Sequence, residues 1–373
     1  MTGGGAAAGA RASVGAGVKG RRWRAGRMPP AWLLGALGVA LVAGMLVAAG
    51  QGAYRLPASR VIDVLLQQAG WPRDGVEPAM VGVLWSLRLP RVLLAALVGA
   101  LLAMAGAALQ GLFRNPLADP GLIGVSSGAA LSVALVVVFG PLLWPALTAA
   151  QALALQPVAA FAGGVLATAL VYRLGRTQGG ASVAAMLLAG IALNALAMAV
   201  IGLASYVATD EQLRNLTFWN LGSLAAASWT VLGLVALAGV PALLGLGRLA
   251  PALNALALGE SEARHLGLAV ERVKAAVVVL SALAVGAAVA FCGVVGFLGL
   301  VAPHCVRLLA GPDARVVLPG AALLGAALTV GADTLARTLV VPAELPLGVL
   351  TALVGAPFFL GLLLRSRERL GVA

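Results

Sequence analysis

Four long runs of the sequence lack any charged side chain. No Asp, Glu, Lys or Arg occurs from Pro120 to Tyr172, from Thr177 to Thr209, from Asn215 to Gly247 or from Ala275 to Val306. Each run is long enough for one or two helices of about 20 residues, the length that crosses a bilayer. Backbone groups in lipid must be satisfied internally, and Ala/Leu/Val/Gly-rich runs without strict alternation favour helices over a barrel. The sequence therefore predicts an all-α polytopic membrane protein.

The apolar segments predict ten transmembrane helices within one domain, residues 31–367. Residues 1–30 are basic and rich in Gly and Ala, which predicts a disordered cytoplasmic tail. The run from Ala31 to Ala53 is longer than the core of a typical signal peptide and predicts a retained first helix. The predicted spans cover residues 31–53, 92–113, 122–143, 152–172, 183–207, 228–247, 275–292, 294–309, 316–333 and 345–364.

The formal net charge of +12 follows membrane orientation and does not indicate a nucleic-acid partner. On ten spans with both termini cytoplasmic, 18 of the 25 basic residues fall inside the cell and the others outside. This asymmetry is the positive-inside bias, which sets orientation, and it supports an even number of crossings. The basic residues predicted outside are Arg55, Arg60, Arg73, Arg88, Arg91, Arg214 and Arg337.

The two lysines exclude one source of energy. A Walker A loop ends in Gly-Lys-Ser/Thr, but Lys19 is followed by Gly and Lys274 by Ala, so the chain does not bind ATP through a P-loop. Ion-coupled carriers keep ionisable groups at membrane depth, and Asp333 is the main such group here. An intramembrane enzyme would need clustered His, Asp, Glu, Cys or Ser, and the sequence shows no such cluster. A permease driven by a separate ATPase and a passive channel or carrier remain open.

The segment 251–274 separates two predicted spans and is much longer than most loops in this sequence. Its leucines precede Gly259 and flank Gly267, a pattern that suits two short amphipathic helices hinged at glycines. Helices of this kind can bind in a groove on a partner protein. The pattern fits an ordinary surface loop equally well.

A polar turn interrupts the apolar sequence FRNPLADPGLIGVSSGAAL, residues 113–131. Asn115 and Asp119 each precede a proline, which lacks an amide donor and disfavours a helical residue before it. The glycines that follow permit close backbone approach where the next helix begins. Taken alone, these residues predict a helix-turn-helix corner.

Four blocks of sequence resemble one known family, and they occur in the family's order. They are RLPRVLLAALVGALLAMAGAALQGLFRNPLADPGLIGVSSGAAL (88–131), LALGESEARHLGL (256–268), GFLGLVAPHCVRLLAGPDARVVLPG (296–320) and AELPLGVLTALVGAPFFLGLLLR (343–365). Together they resemble the FecCD-like membrane permeases of bacterial type II ABC importers for iron-siderophores, haem and cobalamin. The resemblance extends from about residue 31 to 367, and the N-terminal tail lies outside it.

The resemblance implies the architecture and the partners. Such a permease has ten helices, pairs with a copy of itself in the inner membrane and keeps both termini in the cytoplasm. Helices two to five and seven to ten are related by an inverted pseudo-repeat. Two ATP-binding cassette subunits bind the inner face, and one periplasmic binding protein delivers the substrate. The chain itself then has no catalytic site and binds no cofactor or metal, since ATP and Mg are held by the partner ATPase.

The same resemblance implies three sets of site residues. The binding protein docks on Arg88, Arg91 and Arg337, and the cytoplasmic gate comprises Asn115, Leu117 and Ser182. The ATPase is coupled through Leu256, Leu258, Gly259, Glu260, Ala263, Arg264, Leu266 and Gly267.

Arg88 and Arg91 are unusual on physical grounds as well. They are predicted outside, against the positive-inside bias, and near the start of a helix, where the macrodipole disfavours cations. Their spacing of three places them on one helical face. Anchoring at the membrane interface is the alternative to a docking role.

The wording of the 113–131 turn is closest to that of the haem-type permeases. The cobalamin type tends to show an acidic residue in place of Arg114 and Asn in place of Ser127. Haem is therefore the favoured cargo, with a ferric siderophore or cobalamin as the alternative. No pair of axial haem ligands is evident along the pathway, which suits a permease that leaves selectivity to its binding protein.

Overall fold

The computed structural model describes residues 28–52, 54–146, 148–177, 180–340 and 342–369. Nearly all of the predicted disordered tail lies outside these residues. Within them, eight helices are long and apolar enough to cross a membrane. They are α1 (Pro30–Gly50), the continuous helix Pro78–Phe113, α5 (Val125–Leu143), α6 (Ala149–Leu174), α7 (Val183–Val207), α9 (Trp229–Arg248), α12 (Val270–Cys292) and α14 (Ala314–Ala336).

Two shorter apolar stretches, α13 (Leu298–Ala310) and the part Leu347–Gly361 of α15 (Leu347–Arg369), occupy the positions of the eighth and tenth predicted spans. The all-α fold is thus confirmed, and the ten predicted segments appear in order. At 13 residues, however, α13 is shorter than a helix that crosses a bilayer unaided.

The remaining elements connect the spanning helices. They are α2 (Ala58–Gln68), α8 (Asp210–Leu221), α10 (Ala250–Ala257), α11 (Glu260–His265), a 3₁₀ turn (Pro120–Ile123) and a short antiparallel hairpin of β1 (Arg176–Thr177) and β2 (Gly180–Ala181). Neither α2 nor α8 was predicted from the sequence. Both carry polar side chains among their apolar ones and lack the long apolar run on which the prediction relied.

Hydrogen bonds at the ends of helices identify two faces of the bundle. We call the face at which α1 begins the near face and the face at which it ends the far face. At the near face the Met28 amide donates to the Leu309 carbonyl at the end of α13 (3.0 Å). At the far face Arg337, at the end of α14, donates to the Gln51 carbonyl at the end of α1 (2.7 Å).

The helix Pro78–Phe113 begins well before the predicted start of the second span. It comprises α3 (Pro78–Gly82), a π-helical stretch (Val83–Arg88) and α4 (Leu89–Phe113). Pro90 has no amide for the Trp85 carbonyl, which is its acceptor in the π pattern, and the Trp229 indole donates to that carbonyl instead (2.9 Å). Pro90 is therefore accommodated inside the long helix.

α4 and α12 occupy the centre of the bundle. They contact each other, while α4 packs against α14 and α12 packs against α6. If helices two to five are superposed on seven to ten, α4 corresponds to α12 and α6 to α14, so the two outer pairings are the same contact made twice. This arrangement fits the inverted pseudo-repeat.

Glycines let α4 approach its neighbours at backbone distance. A Cβ added at Gly99 would lie 2.3 Å from the Gly325 carbonyl oxygen of α14. One added at Gly106 would lie 2.1 Å from the Gly299 carbonyl oxygen of α13. Lipid gives no hydrophobic drive between helices, so such close van der Waals packing has to hold them together.

We expect Gly106→Val to destabilise the protein, because a branched side chain would overlap the Gly299 carbonyl. Overpacking of this kind costs about 1–3 kcal/mol, which would lower the thermal midpoint measured in detergent. Gly35→Val in α1 is the matched control, because a Cβ there meets nothing within 4 Å. Equal thermal midpoints for the two variants would contradict the packing argument.

Candidate functional sites at the two faces

Arg91 of α4 is held by two carboxylates at the far face. Its Nε and Nη2 donate to Asp333 Oδ1 at 3.0 and 2.8 Å, and its Nη1 and Nη2 donate to the two oxygens of Glu344 at 2.9 Å each. Asp333 is buried, whereas the Glu344 side chain is 39% exposed. The hydrogen bonds from Arg91 hold the pKa of Glu344 below its usual range.

Arg88 and Arg337 cap the far-face end of α1. Arg88 Nη1 donates to the carbonyls of Ala49 (2.8 Å) and Gly50 (3.1 Å), and Arg337 Nη1 donates to that of Gln51 (2.7 Å). The last carbonyls of a helix lack intrahelical partners and form the negative end of its dipole, so guanidinium groups are stabilised there. Arg337 Nε also lies 3.4 Å from Asp333 Oδ2.

The helix-start interpretation of Arg88 and Arg91 is wrong, because the continuous helix begins at Pro78. Their outward position is explained by the acids and the carbonyls that they bind. The structure brings the three predicted docking arginines together with Asp333 and Glu344, a group we call the far-face arginine cluster. Arg88 is buried and Arg337 is mostly so, and a docking role for the three stays a prediction.

The predicted gate turn lies at the near face, between α4 and α5. Arg114 ends α4 in the left-handed conformation (φ 51°), which turns the chain away from the helix axis. The Leu117 amide donates to Asn115 Oδ1 (2.9 Å), and the Gly121 amide donates to Asp119 Oδ1 (2.8 Å). Both bonds are local turns of the kind that Asn and Asp stabilise. Burial raises the pKa of the Asp119 carboxyl.

The gate residues fall into two separate segments. Asn115 and Leu117 share one turn, and the Leu117 side chain is 60% exposed. Ser182 follows the β1–β2 hairpin and caps the start of α7, where its Oγ accepts from the Ala185 amide (3.4 Å). Their common role as a gate stays a prediction.

Residues 250–267 contain two short helices, α10 and α11, and we call this stretch the coupling segment. Gly259 (φ +123°) and Gly267 (φ +82°) adopt backbone conformations that favour glycine, at the hinges that the sequence predicted. Leu256 is buried, whereas Leu258 and Leu266 are each 68% exposed. The prediction of two short helices hinged at glycines is therefore confirmed, and the segment is not an irregular loop. The two exposed leucines flank α11, and a coupling role for the segment stays a prediction.

Lys274 is a buried charged residue whose partners were not predicted from the sequence. Its Nζ donates to the Ala181 carbonyl (2.7 Å), to Glu260 Oε2 (2.8 Å) and to Glu271 Oε1 (3.1 Å). Glu271 Oε2 in turn accepts from the Ala181 amide (2.7 Å). The pair of acids at i−3 and i−14 was visible in the sequence, but their convergence depends on the path of α11.

A cavity of about 290 Å³ lies beside the gate turn at the near face. It is lined by Arg114 and Pro116 of the turn, Leu253 of α10, and Gln110 and Arg307. Arg307 donates to Gln110 Oε1, and Gln110 Nε2 donates to the Gly299 carbonyl (2.9 Å). The coupling segment and the gate turn thus border one space.

No cluster of three or more His, Cys, Asp or Glu side chains that could hold a metal ion occurs in the described part of the chain. His304 of α13 instead contacts the rings of Phe358 and Phe359. The sites at the two faces are built from ion pairs, helix caps and exposed leucines.

Comparison with known proteins finds close relatives over nearly the whole chain. The hemin transport system permease protein HmuU of Yersinia pestis is 46% identical over 92% of this chain and 98% of its own. The vitamin B12 import system permease protein BtuC of Pectobacterium atrosepticum is 41% identical over 80% of this chain and 87% of its own. A solved inward-facing structure of a metal-chelate type ABC transporter matches with a TM-score of 0.78 and 33% identity, over 90% of this chain and 99% of that one.

The sequence model of the FecCD transport family matches residues 40–365. Apart from the start of α1 and the last residues of α15, this range contains every spanning helix, together with the far-face arginine cluster, the gate turn and the coupling segment. The chain belongs to the FecCD transport family.

Proposed function

We propose that this chain is the membrane-spanning permease of an ATP-driven importer that moves haem from a periplasmic binding protein into the cytoplasm. The similarity to the hemin permease of Yersinia pestis, 46% over nearly the full length of both chains, carries this proposal. The second candidate is cobalamin or a ferric siderophore carried by the same machinery, which the 41% identity to a vitamin B12 permease favours.

The near face would lie in the cytoplasm, because the positive-inside bias places most basic residues there. α1 begins at this face, so the N-terminus would be cytoplasmic, and an even number of crossings returns the C-terminus to the same side. Two copies of the chain would enclose the pathway within the inner membrane. Two ATPase subunits, which hold ATP and Mg, would bind the near face, and one binding protein would bind the far face.

The coupling segment would bind the ATPase. Its hinges at Gly259 and Gly267 present α11 as a short folded unit, and its exposed Leu258 and Leu266 offer apolar anchors. Leu256 and Ala263 are buried and hold the unit against the bundle. Force from the ATPase would thus reach the bundle through a folded element.

The gate would be formed by Asn115, Leu117 and Ser182 at the cytoplasmic mouth. Leu117 is exposed in this single chain, as a side chain that faces a shared pathway would be. The bond from its amide to Asn115 fixes the turn, and Ser182 fixes the start of α7. A gate of this kind would restrict passage by size.

The binding protein would dock on the far-face arginine cluster through carboxylates of its own. Arg91 is the member best placed to change partners, because Glu344 is partly exposed and reaches it from a loop. Asp333 is buried and would stay paired with Arg91. Docking would therefore exchange Glu344 for an acid of the binding protein.

We expect reconstituted vesicles that contain this chain, its ATPase and its binding protein to accumulate haem only when ATP is present. Excess cobalamin or ferric siderophore should not compete with haem. Competition by either compound would establish the second candidate. Uptake that ignores ATP would show a passive channel and contradict the proposal.

We expect the double substitution Leu258→Ala and Leu266→Ala to reduce the ATPase that co-purifies with the permease by about tenfold or more, as loss of buried apolar anchors does at interfaces. Both side chains are exposed, so the permease itself should still fold. Leu174→Ala at the near-face end of α6, with a side chain of similar exposure (57%), is the control. Unchanged co-purification would remove the coupling segment from the interface.

We expect Glu344→Gln to strengthen docking of the binding protein about two- to fivefold, because it frees Arg91 from a partly exposed ion pair worth at most about 1 kcal/mol. The gain should shrink as salt is added. Glu77→Gln, which makes the same charge change at an exposed site before α3, controls for net charge. Titration of the binding protein onto surface-immobilised permease would measure the affinity of both variants. Binding to Glu344→Gln that is equal to or weaker than binding to the wild type would contradict the exchange.

A further inference from the structure

Lys274 joins three segments of the chain at the near face. Its side chain is only 3% exposed, and a buried ammonium group is costly unless its donors are all used. Its three short hydrogen bonds go to Glu260 at the start of α11, to Glu271 in the first turn of α12 and to Ala181 at the end of the β1–β2 hairpin. One cation therefore ties the coupling segment to the hairpin.

The hairpin is held more tightly than one bond would hold it. Both backbone groups of Ala181 are engaged, since its carbonyl accepts from Lys274 and its amide donates to Glu271. Gly180 lies so close to Glu271 that an added Cβ would be 2.5 Å from Oε1, and its φ of +113° favours glycine. The next residue is Ser182, which caps α7.

The hydrogen bonds of Lys274 and Glu271 can transmit a displacement of α11 to the hairpin. Charge-assisted hydrogen bonds are short and strong, and separating the buried Lys274 ammonium group from its acids would leave its charge without compensation. Arg264 of α11 adds to the group, 3.7 Å from Glu260 and 4.0 Å from Glu271. A shift of α11 would therefore move the hairpin with it.

We infer that Lys274, with Glu260 and Glu271, is the positioning element that links movement of the coupling segment to Ser182 and α7. This inference rests on the proposed function, in which the coupling segment binds the ATPase and Ser182 belongs to the gate. Lys274 contacts neither the cargo nor the ATPase in this role. It acts by keeping α11 and the hairpin in register.

Glu260→Gln is the sharpest test, because it removes the negative charge with which α11 holds Lys274 and leaves Lys274 paired with Glu271. Glu262→Gln is the matched control, since it makes the same change on an exposed side chain of the same helix. We expect the complex that carries Glu260→Gln to hydrolyse ATP, but to transport at least about fivefold less haem for each ATP hydrolysed. Glu262→Gln should match the wild type. A residue that serves only stability would alter the yield of the complex and leave haem per ATP unchanged.

Lys274→Met removes the centre of the group and should reduce haem per ATP at least as much. Combining it with Glu260→Gln should add little, because both changes weaken the same contact between Lys274 and residue 260. A second readout does not involve the cargo. ATP binding should alter hydrogen exchange at the Ala181 and Ser182 amides in the wild type and in Glu262→Gln, but not in Glu260→Gln.

Equal haem per ATP in Glu260→Gln and Glu262→Gln would overturn the inference, as would equal exchange responses. Failure of the proposed function looks different, because the wild type itself would then show no ATP-dependent uptake. In that case the exchange experiment still decides whether α11 and the hairpin move together.

Discussion

Close backbone contact at glycines is the constraint on which the rest of the structure depends. α4 can lie at the centre of the bundle because Gly99 and Gly106 leave room for the carbonyls of Gly325 and Gly299. The central position of α4 sets the place of Arg91 at one end and of the gate turn at the other. The far-face arginine cluster and the gate turn are therefore the two ends of one buried helix.

The buried charges in the described part of the chain lie where a helix end or an opposite charge stabilises them. Arg88 and Arg337 bind the terminal carbonyls of α1, and Asp333 lies between Arg91 and Arg337. At the near face, Lys274 uses all its donors on Ala181 and two acids. Each group would be costly alone in a poorly solvated site, and each becomes stable by joining separate segments.

The sequence predicted the spans well because an absence of charge over 20 residues has few interpretations other than a helix in lipid. The glycine hinges of the coupling segment were predicted because the effect of Gly259 and Gly267 on the backbone is local to each residue. The long helix begins at Pro78, before the predicted second span. The Trp229 indole on a distant helix binds the Trp85 carbonyl that Pro90 cannot, and local sequence does not show this contact. The roles of Lys274 and Glu344 were missed because their partners lie in other segments, which periodicity does not detect.

The bond from Trp229 to the Trp85 carbonyl has one more consequence. It holds the two indole rings with their centroids 5.5 Å apart, tilted by 43°. Two chromophores this close share their electronic excitation, and the shared signal depends steeply on separation and angle. The Trp85–Trp229 pair is thus an intrinsic spectroscopic probe of relative motion between the far-face ends of α9 and the long helix in the unlabelled protein.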